Sequence, residues 1–314
     1  MKVLITGCAG FIGSNFVSHL LSESHEVYGI DNLLTGSMQN IDDLRENKRF
    51  TFYQEDVLSF DFSYLPSCDI IYHLASPASP IQYKKHPVET LMVNSLGTKR
   101  VLDYMVNSKS KRLVISSTSE VYGDPHEHPQ NEAYWGNVNP VGVRSCYDEG
   151  KRFSEAMAMT YYRKYGQDVR IARIFNTYGP NMEKEDGRVV SNFIMQALLQ
   201  KPVTIYGTGK QTRSFCYISD MIDGLYKLGT TDNIKGEIVN LGNTDEKTIL
   251  ELAQIIINLT SSSSQIIFRP IDGDDPKKRK PEITKAMRLL GWRTNIPLEE
   301  GLRKTIDYFK KRFI

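Results

Sequence analysis

The opening residues limit the fold more than any other stretch of this chain. Val3-Leu4-Ile5 is a short apolar run, Gly7-Cys8-Ala9-Gly10-Phe11-Ile12-Gly13 is a glycine-spaced turn, Phe11 to Ser22 has helical spacing, and Glu26 to Ile30 reads as a second strand. Strand, turn, helix and strand make the first unit of a parallel sheet, because parallel neighbours need a crossover long enough to hold a helix. Glycine lets the backbone of such a turn approach a pyrophosphate, and the first N–H groups of the helix are free to meet it. The spacing is GxxGxxG rather than the usual GxGxxG, but it stands where a strand feeds a helix. Asp31 follows Gly13 by 18 residues, at the end of the second strand. A carboxylate there accepts hydrogen bonds from ribose hydroxyls and repels a 2'-phosphate, which predicts NAD over NADP. Asp56, beyond the third strand, is a candidate for the adenine edge.

The alternation continues. Asp69 to Leu74, Arg112 to Ser117 and Arg170 to Phe175 read as buried strands, while about Val88 to Val106 and Cys146 to Tyr165 read as helices. Near-continuous apolar strands between amphipathic helices predict an α/β fold, a Rossmann-like sheet covered on both faces. After Asn176-Thr177-Tyr178-Gly179-Pro180 the pattern changes to short strands (Val203 to Tyr206, Ile266 to Arg269) between helices (Val190 to Leu199, Ile249 to Leu259). That predicts a large domain over 1–175 and a smaller α/β lobe over 176–314, with about 215–240 returning to the large one.

Composition excludes several partners. With 39 basic and 37 acidic residues the net charge is +2, so no overall field draws nucleic acid or anionic membrane. Cys8, Cys68, Cys146 and Cys216 form no CxxC pair, against a zinc site or disulfide scaffold; no metal is expected. No segment reaches the ~20 apolar residues of a membrane span, so a cytoplasmic chain without membrane contact is expected, though a longer parent could carry an anchor. His73 on a buried strand reads as a hydrogen-bonded core histidine. Tyr134 and Trp135 read as part of a loop packed over the substrate.

The chemistry is carried by Tyr147 and Lys151, four apart on one helix face, where an ammonium can lower a phenol's pKa. Thr118 ends a strand 29 residues earlier. Strand ends and helix starts meet at the carboxyl edge of a parallel sheet, so this trio sits where ligands bind. The set resembles the Thr-Tyr-Lys of the extended short-chain dehydrogenase/reductase family, which modifies sugars attached to a nucleotide. The resemblance implies that Tyr147 exchanges the hydroxyl proton, Thr118 hydrogen-bonds the reacting oxygen, and Lys151 holds the tyrosinate charge and the nicotinamide ribose. It also implies a cofactor cleft lined by Gly7, Gly10, Phe11, Ile12, Gly13, Asp31, Asn32, Asp56, Val57, Leu74, Ala75, Ser76, Ser116, Tyr147 and Lys151.

Longer words narrow the resemblance to the UDP-glucuronate decarboxylases. They include Ser117-Thr118-Ser119-Glu120-Val121-Tyr122-Gly123-Asp124-Pro125, Arg144-Ser145-Cys146-Tyr147-Asp148-Glu149-Gly150-Lys151, Asp186-Gly187-Arg188-Val189-Val190 and Gly209-Lys210-Gln211-Thr212-Arg213-Ser214-Phe215. The family reaction implies C4 oxidation of UDP-glucuronate, loss of CO2 from the resulting β-keto acid, protonation at C5 and return of hydride to C4, giving UDP-xylose. Glu120 is placed by the resemblance near C5 and C6, to orient a water, donate the C5 proton or destabilise the substrate carboxylate; a role in C5 protonation is favoured. Arg213 is expected on the diphosphate, and Asn176 on the diphosphate or sugar. Arg279, lifted from the charged run 272–281 by its Asp-Asp-Pro-x-x-Arg-x-Pro word, is expected to meet the diphosphate and the sugar carboxylate. Val190, Thr204 and Tyr206 are expected to border uracil, and Ser79 and Tyr83, in a loop after the fourth strand, to line the sugar pocket. The family also implies a homodimer built on helices of the large domain. Rival readings are a UDP-sugar 4-epimerase, a 4,6-dehydratase, for which Ser119 stands where an aspartate is needed, and a non-catalytic nucleotide-sugar scaffold.

Overall fold

A computed structural model describes residues 1–270 and 278–314; the acidic part of the charged run, with Lys277, lies outside the described residues. The first half of the chain supplies parallel strands β1 (Lys2–Thr6), β2 (Glu26–Ile30), β3 (Phe50–Tyr53), β4 (Ile70–His73), β5 (Arg112–Thr118) and β6 (Asp168–Ile174). Their apolar runs are covered on both faces: Val3, Leu4 and Ile5 are fully buried. The covering helices are α1 (Phe11–Ser22), α2 (Pro80–Lys85), α3 (Pro87–Met92), α4 (Thr98–Ser108) and α5 (Ser145–Tyr165). Helix α5 stops at Gly166, whose left-handed φ of 66° closes the last turn.

The helix expected over Val88 to Val106 is interrupted by a wide π turn, Val93–Gly97, between α3 and α4. Asn94 explains the break. Its carbonyl accepts the Ser154 hydroxyl at 2.5 Å, while its amide donates to Thr90 O at 2.8 Å and to Ser76 Oγ at 2.9 Å. Such competition for backbone groups inserts an extra residue into the turn. Ser79 and Tyr83 are also not in a loop: Ser79 caps α2, with Pro80 at its first position, and Tyr83 lies within it.

The rest of the chain runs β7 (Thr177–Tyr178), α6 (Val189–Leu198), β8 (Val203–Tyr206), β9 (Thr212–Ser214), β10 (Cys216–Tyr217), α7 (Ile218–Thr230), β11 (Ile238–Leu241), β12 (Glu246–Thr248), α8 (Ile249–Thr260), β13 (Ile266–Arg269), β14 (Lys278–Arg279), α9 (Thr284–Leu290) and α10 (Leu298–Phe313). Strand β11 pairs with β6, so the large sheet reads β11-β6-β5-β4-β1-β2-β3, and α7 packs on α1. From β1 the chain builds outward to β3, and from β4 it builds the other way. The carboxyl ends of β1 and β4 therefore part to leave a crevice. Above it stand two small sheets, β8 with β13, and β12-β9-β14, in which Arg213 is directly opposite Arg279.

Apolar packing covers both faces of the large sheet. Leu4, Ile71, Leu102, Leu113 and Ala158 fill one side; Val3, Ile5, Phe16, Tyr72 and Leu225 fill the other, continuing through Trp292 and Phe309. Each such large side chain taken from water stabilises the fold by about 1.5–3 kcal/mol, so the crevice is held by rigid walls.

Candidate active site

A cavity of about 690 Å³ occupies the crevice, and every candidate site residue from the sequence, from Gly7 to Arg279, lines it. At one end is the glycine turn. Gly7 has φ 76°, and a Cβ there would lie 2.8 Å from the Ala75 amide nitrogen. A Cβ on Gly13 would run into the Gly7 carbonyl, so the turn and α1 can pack only without side chains. Helix α1 has no side-chain cap, and Phe11, Ile12 and Gly13 of its first turn face the cavity.

Asp31 is fixed beside this turn: Oδ2 accepts from Ala9 N–H at 2.9 Å and Oδ1 from Leu33 N–H at 2.8 Å. Burial pushes its pKa up against those bonds, and each oxygen keeps a lone pair for a hydroxyl donor. Asn32 donates to Asp56 at 2.8 Å, and Val57 follows on the same rim. An open glycine cradle with a carboxylate beside it fits NAD. Leu74, Ala75 and Ser76 leave β4 opposite the turn; the Ala75 N–H donates to Thr6 Oγ1 at 3.3 Å. The same hydroxyl is 2.7 Å from His73 Nδ1, so His73 is a hydrogen-bonded core histidine, its pKa pushed down to about 3 chiefly by burial.

At the centre, Thr118 ends β5, while Tyr147 and Lys151 stand on the first turns of α5. The Tyr83 ring stacks on Tyr147, centroids 5.1 Å apart and planes within 6°, and fixes the phenol from the α2 side. Burial pushes Tyr147 up to about 12, with a Thr118 hydrogen bond pulling the other way. Lys151 donates to Ser116 O at 2.8 Å and its ammonium stands 5.9 Å from the Tyr147 ring centroid. The expected lowering of the phenol by the ammonium is therefore not seen in this geometry. Burial instead brings Lys151 down to about 7, Glu155 opposing.

Glu120 sits across from the phenol with both oxygens engaged: Arg279 Nη1 binds Oε1, and Arg144 Nη2 donates to Oε2 at 2.6 Å. Burial works to raise its pKa, but the two guanidiniums outweigh that and bring it down to about 2. Arg279 is buried, and its Nε is without a hydrogen-bond partner among the described residues. Asp148 lies 3.9 Å from Arg144 Nε; burial, then the Glu120 charge, push it up to about 7.

The opposite wall comes from the smaller lobe. Arg213 on β9 donates to the Thr212 carbonyl at 2.8 Å. Asn176 follows β6, Val190 is in the first turn of α6, and Thr204 and Tyr206 lie on β8, with half of Tyr206 exposed. Ser79 and Tyr83 also line the cavity.

Sequence reasoning passed over Arg144 and Arg188. Arg188 lines the cavity in a two-point pair with Asp186, at 2.5 and 2.7 Å, its guanidinium 5.6 Å from the Phe11 ring centroid. Both arginines belong to words quoted for the resemblance, which was the available signal. Trp135 corrects the expectation of a covering loop: it is 88% exposed and does not line the cavity, while Tyr134 stacks on Tyr122. No helix among the described residues is long and apolar enough to cross a membrane.

The family profile described as GDP-mannose 4,6 dehydratase matches residues 4–305. The chain is 49% identical over 314 residues to UDP-glucuronic acid decarboxylase 1 of Arabidopsis thaliana, covering 100% of this chain and 71% of that protein. It is 50% identical over 310 residues to UDP-glucuronic acid decarboxylase 1 of Danio rerio, covering 99% and 73%. Among solved structures, UDP-glucuronic acid 4-epimerase from Bacillus cereus, in complex with UDP-glucuronic acid and NAD, shares a TM-score of 0.91 at 31% identity, covering 100% of both chains.

Proposed function

The chain belongs to the extended short-chain dehydrogenases/reductases that modify nucleotide sugars, and within them to the UDP-glucuronate decarboxylases; we infer that it converts UDP-glucuronate to UDP-xylose and CO2 with NAD as cofactor. The observation that carries this reading is the sugar end of the cavity. Arg279 and Arg144 hold the Glu120 carboxylate there, and Arg279 keeps a buried Nε–H without a partner among the described residues. A buried guanidinium with an unsatisfied donor is built for one more anionic oxygen. The carboxylate of the glucuronosyl ring supplies it.

Bound NAD supplies reversible two-electron chemistry at C4. Tyr147 takes the C4 hydroxyl proton as that carbon is oxidised, with Thr118 hydrogen-bonded to the oxygen and Lys151, one helical turn on, left to hold the nicotinamide ribose. The resulting ketone is β to the carboxylate, so the C5–C6 bond can break, CO2 leave and the electron pair pass to the ketone oxygen as an enolate. One proton is then added at C5, and Tyr147 returns its proton as C4 is reduced. Glu120, held ionised by two arginines, has no proton to give in this state. Orienting a proton-bearing water at C5 suits it better than direct donation.

In the same proposal, the glycine turn, Asp31, Asn32, Asp56, Val57, Leu74, Ala75, Ser76 and Ser116 hold NAD. Arg213 and Asn176 take the diphosphate, Val190, Thr204 and Tyr206 border uracil, and Ser79 and Tyr83 shape the sugar pocket. Residues 1–175 carry the cofactor and most of 176–314 the nucleotide sugar. A homodimer is part of the reading, supported by exposed Val88, Leu91, Met92, Leu96 and Phe153, an apolar face on packed helices. The four buried free thiols support a reducing, cytoplasmic setting. Purified protein given UDP-glucuronate and NAD+ is expected to yield CO2 and UDP-xylose by mass. A changed hexose with no carbon lost would assign an epimerase or dehydratase instead.

A further inference from the structure

A buried polar relay joins the helix that carries Tyr147 to the strand that carries Arg279. It begins at Glu155, one turn beyond Lys151 on α5. Glu155 accepts the Ser117 hydroxyl at 2.5 Å and holds Arg173 at two points, 2.9 and 2.8 Å. Arg173 passes the chain on, donating to Tyr122 Oη at 2.9 Å, with its guanidinium 4.9 Å from that ring's centroid. Tyr122 donates to Asn240 Oδ1 at 2.8 Å. The Asn240 amide reaches the carbonyls of Gln130 at 3.0 Å and Glu282 at 3.2 Å.

The far end closes on Arg279. Gln130, fully buried, donates its backbone N–H to Lys280 O at 2.9 Å and accepts the Lys280 N–H on its side-chain oxygen at 2.9 Å. The residue after Arg279 is thus held at both its donor and its acceptor. Arg279 itself donates to the carbonyl of Gly123, the neighbour of Tyr122, at 3.4 Å. A chain of buried polar groups contributes little net stability compared with apolar packing, but it permits only one arrangement of the elements it joins.

We infer that Tyr122 and Asn240 are positioning residues for substrate carboxylate recognition, holding β14 against β5 and α5 so that the Arg279 guanidinium meets the sugar's C6 carboxylate. This rests on the reading that Arg279 binds that carboxylate. Tyr122 and Asn240 touch neither the cofactor nor the sugar; they do not line the cavity. Their effect reaches the ligand through the backbone beside Arg279, and it concerns only a ligand that carries a carboxylate.

UDP-glucuronate and UDP-xylose differ in that one group, so the ratio of their affinities isolates it. Titration calorimetry on the full chain compares the parent with Tyr122→Phe, Asn240→Ala and Arg279→Ala. Tyr122→Phe removes a single hydroxyl, and a melting curve shows that each variant is folded. Tyr122→Phe and Asn240→Ala are expected to weaken UDP-glucuronate about tenfold, the scale of a slightly misplaced positioning group, and UDP-xylose less than about twofold. Equal loss for both ligands, or no loss for either, overturns the inference; a general loosening of the site would produce the first. If Asn240→Ala does not fold, Tyr122→Phe decides alone. Arg279→Ala must itself weaken UDP-glucuronate selectively; if it weakens both alike, the premise falls first and the inference with it.

Discussion

Glu120 and Asp148 share one arginine and titrate in opposite directions. Glu120 is held near 2, against an ordinary value of 4.5. Its two ion pairs therefore stabilise the fold above that ordinary value and are lost as pH falls toward 2. Glu120→Gln removes the charge while keeping the shape, and UDP-xylose formation should slow by about 10²-fold or more with NAD affinity unchanged. Unchanged turnover would remove Glu120 from the chemistry. Asp148 runs the other way, about 7 against an ordinary 3.8. Between those values the folded state binds more protons than the unfolded one, so this group lowers stability as pH rises from about 4 to about 7, and the loss stays at its full size above 7. Asn at this position has no proton to lose. Asp148→Asn should raise the melting temperature by roughly 2–4 °C at pH 8, a gain on the order of 1 kcal/mol, and leave it unchanged near pH 4. An equal rise at both pH values would show that charge is not the cause. The sequence placed Glu120, Tyr147 and Lys151 at one edge, but it could not show two arginines converging on one carboxylate from β14 and the start of α5.

At the scale of elements, the strand-turn-helix unit was legible because its signals are local. Gly7 and Gly10 precede, and Gly13 lies in the first turn of, a helix that begins at Phe11 and ends at Ser22, the span the sequence predicts. Gly13→Ala is the sharp test of this unit. The added methyl collides with the Gly7 carbonyl, and overpacking of about 1–3 kcal/mol should weaken NAD by roughly tenfold or more while UDP binding persists. Undiminished NAD affinity would take the glycine turn out of the cofactor site. The π turn at Val93–Gly97 was not legible, since the spacing of apolar residues runs through it unbroken. Its cause is Ser154, 60 residues away, which takes the Asn94 carbonyl.

For the whole molecule, the apolar face of Val88, Leu91, Leu96 and Phe153 sets the prediction. A homodimer would sediment at twice the 35.8 kDa of one chain, and Leu96→Asp combined with Phe153→Asp should return it to monomer, because two like charges buried in an apolar contact are not compensated. A parent that already sediments as one chain would end the dimer reading. The same scale holds the relay from Glu155 to Gln130, whose Tyr122–Asn240 bond joins residues 118 apart.

What the sequence determined by itself was the type of fold and the redox half of the site. Periodic burial, glycine turns and a Tyr-to-Lys spacing of one helical turn are local, and local physics writes them into neighbouring residues. Only the tertiary structure decided the state of the groups that meet there: Lys151 turned to the Ser116 carbonyl, Tyr147 raised by burial, Glu120 stripped of its proton by Arg144 and Arg279. Those states depend on desolvation and on charges brought within a few ångströms from distant parts of the chain, and neither quantity exists until the chain has folded.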